Sequence, residues 1–343
     1  MDIVIHMGLQ KTGTTTIQED FLSSHPGYLG KGSKNNGWIS SSDLQELEKA
    51  AATSFMRDKD ELEYIASGFI DKIKKNIETT DYKGPIIISR EDFCSWPLED
   101  DWEYAKWPIG TVDYFDNPRT GILPAAHFIK TYLKPLWDPF GNIRLIVTLR
   151  NQPDYLASMY AQRSNKRQQA SQDDFEYQID MLINSGDISI NWFNLVKSLE
   201  YAVGEENVTV LLFENINDKS FWYKLSRSID ENYGYFKKNI DSNNKRNAKR
   251  IKNNSWRIQK FNYSHHYVVR KIKKKFLQRD YAKALFVSPV KEFFRLLGFL
   301  LPGKEKESIY LTDEIRTRIK KSCAESNKRL SNHIGVDLGD LGY

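Results

Sequence analysis

The stretch that most restricts how this chain can fold is its opening, DIVIHMGLQKTGTTTIQEDF, residues 2–21. Residues 2–7 read as a short buried strand, Gly8 to Gly13 as a tight loop, and Thr15 to Leu22 as a helix. An apolar strand that turns at once into a helix needs a sheet around it. The rest of the chain supplies one: PIIIS at 85–89, IRLIVTL at 143–149 and NVTVLLFE at 207–214 are strand-like runs. Helical patterns stand between them, at Asp43–Met56, Lys59–Thr79, Pro124–Trp137, from Pro153 onward, at 171–184 and at 190–202, and a last helix runs over Asp313–His333. Strands separated by helices imply an α/β fold of three layers, α/β/α, with a central parallel sheet. Ligands of such sheets sit beyond the carboxyl ends of the strands, which here carry Gly8, Ser89 to Glu91, Arg150 and Glu214.

The loop is built to hold an anion. Gly8 and Gly13 allow a tight turn that presents backbone N–H groups, and the following helix adds the positive end of its dipole. Thr12, Thr14, Thr15 and Thr16 offer hydroxyls, and Lys11 offers a point charge. The fold is therefore P-loop-like, yet the order differs from G-x-x-x-x-G-K-[ST]: the lysine stands before the second glycine, and Thr14 takes the place of the NTPase lysine. A plain strand-to-helix turn is the alternative for the loop taken alone.

A second anchor lies in LIVTLRNQPDYLASMYAQ, residues 145–162, where the strand ends in Arg150 and Ser158 follows two helical turns later. Together they suit a second anion site. An NTPase would place a magnesium-binding Asp after such a strand, and none follows IVTL.

HMGLQKTGTTTIQ resembles the 5′-phosphosulfate-binding loop of the PAPS-dependent sulfotransferases, and LRNQPDYLASMY resembles their 3′-phosphate-binding strand and helix. GEENVTVLLFENI and ESNKRLSNHIGVDLGDLGY are similar to a further strand and to the ending of bacterial, carbohydrate sulfotransferase-like members. Gln10 and Asn151 stand where the family varies. The resemblance implies a donor, 3′-phosphoadenosine 5′-phosphosulfate (PAPS, leaving PAP), with two anionic groups and no metal requirement. It implies that Lys11 contacts the phosphosulfate, that Gly8, Thr12, Gly13, Thr14, Thr15 and Thr16 line the 5′-phosphate, and that Arg150 and Ser158 hold the 3′-phosphate. As general base it implies, by position after the second strand, Glu91, with Asp92 its rival; the alternative is that Glu91 caps or pairs with Arg90. His127 is a further candidate because histidine titrates near neutrality. His6 reads as a packed strand residue and Glu214 as an orienter of loop backbone.

On the acceptor side, residues 92–140 hold Trp96, Trp102, Trp107 and Trp137, suited to the apolar faces of a carbohydrate or glycolipid in polysaccharide biosynthesis. The whole of 1–343 is expected to form one domain, with 245–307 as a basic helical arm. That arm carries 18 Lys/Arg against 4 Asp/Glu, +14 in a chain whose net charge is +5. RKIKKK at 270–275 precedes an apolar helical stripe, Phe286, Val290, Phe293, Leu297 and Leu300. Such a pairing suits an anionic membrane surface through 270–301, or packing on the core with lysines in water. Nucleic acid is not expected, because no recognition motif accompanies the charge. Two cysteines, Cys94 and Cys323, make no disulfide framework and no zinc spacing. With no leader read at Met1, the expected location is cytoplasmic, peripheral on the inner face of the membrane. A P-loop kinase or NTPase and a non-catalytic membrane or glycan-binding protein on the same fold are the alternatives.

Overall fold

The computed structural model describes residues 1–31, 33, 38–55, 57–93, 123–164, 170–184, 190–229, 250–251, 254–258 and 307–343, the side chains of Asp92, Arg250 and Ile251 excepted. The tryptophans at 96, 102 and 107, Cys94, the basic run at 270–275 and the apolar stripe at 286–301 lie outside the described residues.

A five-stranded sheet runs β2 (Tyr28–Gly30), β3 (Ile86–Ser89), β1 (Ile3–His6), β4 (Ile143–Leu149) and β5 (Val208–Leu212). Every neighbouring pair is parallel. In register, Ile3 lies between Ile86 and Ile143, and His6 between Ser89 and Ile146. β2 is a strand the sequence pattern does not reveal: three residues between Gly27 and Lys31 are too short for periodicity to register.

Alternate strand residues face opposite layers, as the pleat requires. Val4, Ile87, Ile146 and Leu211 pack with Ile17, Phe21 and Leu22 of the first helical run and with Phe221, Leu225 and Ile229 of α9 (Lys219–Ile229). Ile3, Ile5, Ile86, Ile88, Leu145 and Val147 face the other layer. That layer holds α2 (Ser41–Ala52), α3 (Lys59–Thr80), α4 (Pro124–Phe128) and α5 (Lys134–Trp137), with α6 (Gln152–Arg163), α7 (Gln172–Asn184), α8 (Trp192–Val203) and α10 (Asp313–Ile334). The first helix begins as α1 (Thr14–Thr16) and continues through a π turn, Ile17–Phe21, and a 3₁₀ turn, Leu22–Ser24.

The helix ends follow local chemistry. Ser40 and Asp43 form a capping box, with Asp43 N–H on Ser40 Oγ at 3.1 Å and Ser40 N–H on Asp43 Oδ2 at 3.3 Å. α2 stops at Ala52, short of the expected Met56, because Thr53 Oγ1 turns back to the Lys49 carbonyl at 2.6 Å and Ser54 Oγ leaves for the Pro124 carbonyl at 2.8 Å. Gly335, φ 67°, ends α10 in the left-handed conformation.

The segment from Asn243 reads as helical, and its described ends are strands. β6 (Arg250–Ile251), β7 (Ser255–Arg257) and β8 (Ser308–Tyr310) make a small antiparallel sheet. β7 pairs with β8, so residues 255–257 and 308–310 are neighbours and the basic arm leaves and rejoins the fold at one place. Runs of two and three residues flanked by Lys and Asn carry no pattern that a sequence reading can detect. Among the described residues no helix is long and apolar enough to cross a membrane.

Candidate functional site

β1 leads toward β2 on one side of the sheet, and β4 leads toward β5 on the other, so the loops that leave these adjacent strands diverge. Their carboxyl ends are the switch point of the sheet, where open α/β sheets bind ligands in a crevice. The glycine loop enters it after β1, and Arg150 enters it after β4.

Two residues of the loop take left-handed backbone, Lys11 at φ 68° and Gly13 at φ 81°. At Gly13 a Cβ would also meet Ile216 Cδ1 at 2.5 Å and the Phe213 ring at 3.1 Å. At Gly8 a Cβ would meet Thr14 Oγ1 at 2.7 Å and His6 Cε1 at 3.2 Å. Both glycines are therefore required by the close approach of the loop to its own walls. The first helical bond runs from Ile17 N–H to the Gly13 carbonyl at 3.1 Å, so the amides of Thr14, Thr15 and Thr16 have no intrahelical acceptor and face outward from the helix end. Thr12 and Thr14 are buried and direct their hydroxyl protons to the Leu9 carbonyl, at 2.6 and 3.2 Å. Thr15 and Thr16 remain half-buried at the helix mouth.

Arg150 closes the other side. Its Nη1 donates to the Lys11 carbonyl at 3.0 Å, its guanidinium lies 4.7 Å from the centre of the Phe213 ring, and its Nη2 is 3.9 Å from Asp154 Oδ2. Arg316 also holds Asp154, at 3.0 Å. Ser158 lies one helical turn beyond Asp154 on the same face of α6, is 6% exposed, and has no hydrogen-bond partner among the described residues. An unpaired hydroxyl at this position fits a ligand oxygen.

Several supports join residues that are far apart in the chain, and all but Glu214 escape a sequence reading for that reason. Glu214 Oε1 accepts from Asn151 N–H at 2.9 Å and from Asn151 Nδ2 at 2.8 Å, which is the expected orienting role. Asn151 Oδ1 in turn caps α6 by accepting from Asp154 N–H at 3.0 Å. Arg163, from the last turn of α6, donates to Gln10 Oε1 at 3.3 Å. Trp192 Nε1 donates to the Arg150 carbonyl at 2.9 Å.

Beneath the loop, His6 is fully buried. Its Nδ1 lies 2.8 Å from Ser89 Oγ and its Nε2 lies 3.3 Å from Thr148 Oγ1, tying three strands together. Burial pushes its pKa down to about 4, so it is a neutral bridge. Gln18 Nε2 joins the cluster through Ser89 O at 3.2 Å and Ser89 Oγ at 3.1 Å.

Glu91 stands half-buried in the 3₁₀ turn Glu91–Phe93 directly after β3. Neighbouring Arg90 turns to α2: its Nε and Nη2 reach Glu48 Oε2 at 3.0 and 2.6 Å, and Glu48 is buried. His127 belongs to α4, where its Nδ1 is 3.3 Å from Ser54 Oγ and its ring centre lies 4.7 Å from that of Phe55, the two planes tilted by 36°. Burial holds its pKa below the ordinary histidine value. α2 packs on both the Glu91 turn and α4, so the two candidate bases border one helix.

The sulfotransferase domain family model matches residues 1–221, which contain every site residue named above except Arg316. A crystal structure of a sulfotransferase from Alicyclobacillus acidocaldarius aligns with 100% of this chain and 99% of its own, at 14% identity and a TM-score of 0.40. No curated protein matches the sequence.

Proposed function

The chain belongs to the sulfotransferase family, and from that premise we propose that it moves a sulfuryl group from PAPS to a hydroxyl of a carbohydrate or glycolipid. One observation carries the two-anion donor: Arg150 bonds to the carbonyl of Lys11, so the loop after β1 and the strand end after β4 line a single crevice. At the Arg150 end Ser158 is 6% exposed with no hydrogen-bond partner among the described residues, and at the other end the Thr14 to Thr16 amides have no intrahelical acceptor, which supports an anionic ligand at each end.

The chemistry needs the acceptor oxygen in line with the bond to be broken, a base for its proton and positive charge at the leaving oxygen. The acceptor oxygen forms the new bond to sulfur while the bond from sulfur to the bridging phosphate oxygen breaks. Lys11 and the amides of Thr14 to Thr16 stabilise charge on that phosphate oxygen, and PAP leaves. Arg150 and Ser158 fix the 3′-phosphate. Glu91 takes the acceptor proton. The sulfuryl group carries less charge than a phosphoryl group, so Lys11 and the loop amides suffice without a metal.

The acceptor class rests on the aromatic sequence of 92–122 and on the position of Glu91; Trp137, expected to share that role, instead packs in the core, 1% exposed, with its Nε1 donating to the Met1 carbonyl at 3.1 Å. The basic arm favours a cytoplasmic enzyme held at an anionic membrane, each basic residue near the surface adding about 1 kcal/mol. Transfer of radiosulfate from PAPS to oligosaccharide and glycolipid acceptors, lost in Lys11→Ala, is the expected result; transfer that survives Lys11→Ala would contradict the mechanism. Flotation with phosphatidylserine vesicles tests the arm, and absence of binding at low salt would remove that part.

A further inference from the structure

At the far side of the 3′-anion site, Tyr343 is buried and its hydroxyl donates to Glu214 Oε2 at 2.9 Å. The other oxygen of the same carboxylate accepts both Asn151 bonds, at 2.9 and 2.8 Å. We propose that Tyr343 and Glu214 are positioning residues for donor binding: the phenol holds the carboxylate, the carboxylate holds Asn151, and Asn151 sets where Arg150 leaves β4 to meet a 3′-phosphate. The proposal rests on the reading of Arg150 and Ser158 as the 3′-phosphate site.

Three features make this chain of contacts more than local packing. Glu214 spreads its two oxygens over two partners that are 63 and 129 residues away in sequence, so the Phe213–Asn215 turn, the α6 N-terminus and the tail meet at one carboxylate. Asn151 also caps α6, so a shift at Glu214 moves both the residue after Arg150 and the helix that carries Ser158. Next to Glu214, Phe213 lies under the Arg150 guanidinium and against Gly13, so the same turn touches both halves of the crevice. Burial, and then the charge of Glu214, raise the Tyr343 pKa well above the ordinary tyrosine value, which keeps the phenol a donor. Removal of that donor leaves a half-buried carboxylate oxygen without its partner, and the carboxylate turns to another one.

The test uses the full chain and two readouts. Calorimetry compares 3′,5′-adenosine bisphosphate with 5′-AMP; amide hydrogen exchange follows residues 150–154 without ligand. In Tyr343→Phe, preference for the bisphosphate should fall about tenfold, the effect of one charge-assisted hydrogen bond, with 5′-AMP affinity unchanged. The amides of Asn151 and Asp154 should exchange faster. Glu214→Ala should do the same more strongly, and Glu214→Gln should recover much of the preference because its amide carbonyl still accepts from Asn151. Unchanged preference or unchanged exchange in Tyr343→Phe overturns the proposal. A wild-type protein with no preference for the bisphosphate overturns the functional reading beneath it, which the wild-type titration shows by itself.

Discussion

Arg150 Nη1 donates to the carbonyl of Lys11 across 139 residues of sequence, at 3.0 Å. The bond holds Lys11 in a left-handed conformation, φ 68°, that a non-glycine residue adopts at a cost on the order of 1 kcal/mol. Strain at this position sits at the residue that the proposed mechanism puts beside the leaving oxygen.

Stability and activity should therefore separate at Lys11. Glycine relieves the left-handed strain and alanine does not, so Lys11→Gly should be more stable than Lys11→Ala by on the order of 1 kcal/mol. Both should lose transfer. Denaturant unfolding beside a radiosulfate assay reads the two effects, and equal stability of the variants would show that the loop is not strained.

Glu91→Gln should slow transfer by about 10²- to 10⁴-fold, the ordinary worth of a positioned general base, with PAP binding nearly unchanged. Rates near the wild-type value would move the role to His127 or Asp92.

His6 gives a pH signature. Its folded pKa is about 4, below the ordinary 6.5, so the folded state favours the neutral ring. Above pH 6.5 the contribution is complete; as pH falls from there toward 4 the unfolded chain takes up the proton first and stability drops, by about 3 kcal/mol in all. Subtraction of the profile of His6→Gln from that of the wild type isolates this group from the carboxylates. A flat difference between pH 7 and 4 would show that His6 is hydrated in the folded protein.

The central sheet, and the glycine loop and arginine at the ends of two of its strands, are legible in the sequence because strand, glycine loop and strand-end arginine are local patterns of apolar runs and turn residues. β2 and the β6–β7–β8 sheet are not, since strands of two or three residues have no periodicity to read. A second limit hides Glu48, Arg163 and Tyr343. Each acts through a partner at least 42 residues away, and nothing at residue 48 announces that its carboxylate will fix Arg90. The threonines mark a third limit: residue type shows that Thr12 and Thr14 can donate, and only the folded loop shows that their protons go to Leu9.

The most direct measurement is calorimetric titration of the wild-type protein and of Arg150→Ala with 3′,5′-adenosine bisphosphate, 5′-AMP and ATP, in chelator. The expected result is clear preference for the bisphosphate in the wild type and its loss in Arg150→Ala, with the weaker 5′-AMP binding little changed. Equal binding of the three nucleotides, or binding of ATP alone and only once magnesium is restored, would contradict the two-anion crevice and return the loop to a kinase or NTPase.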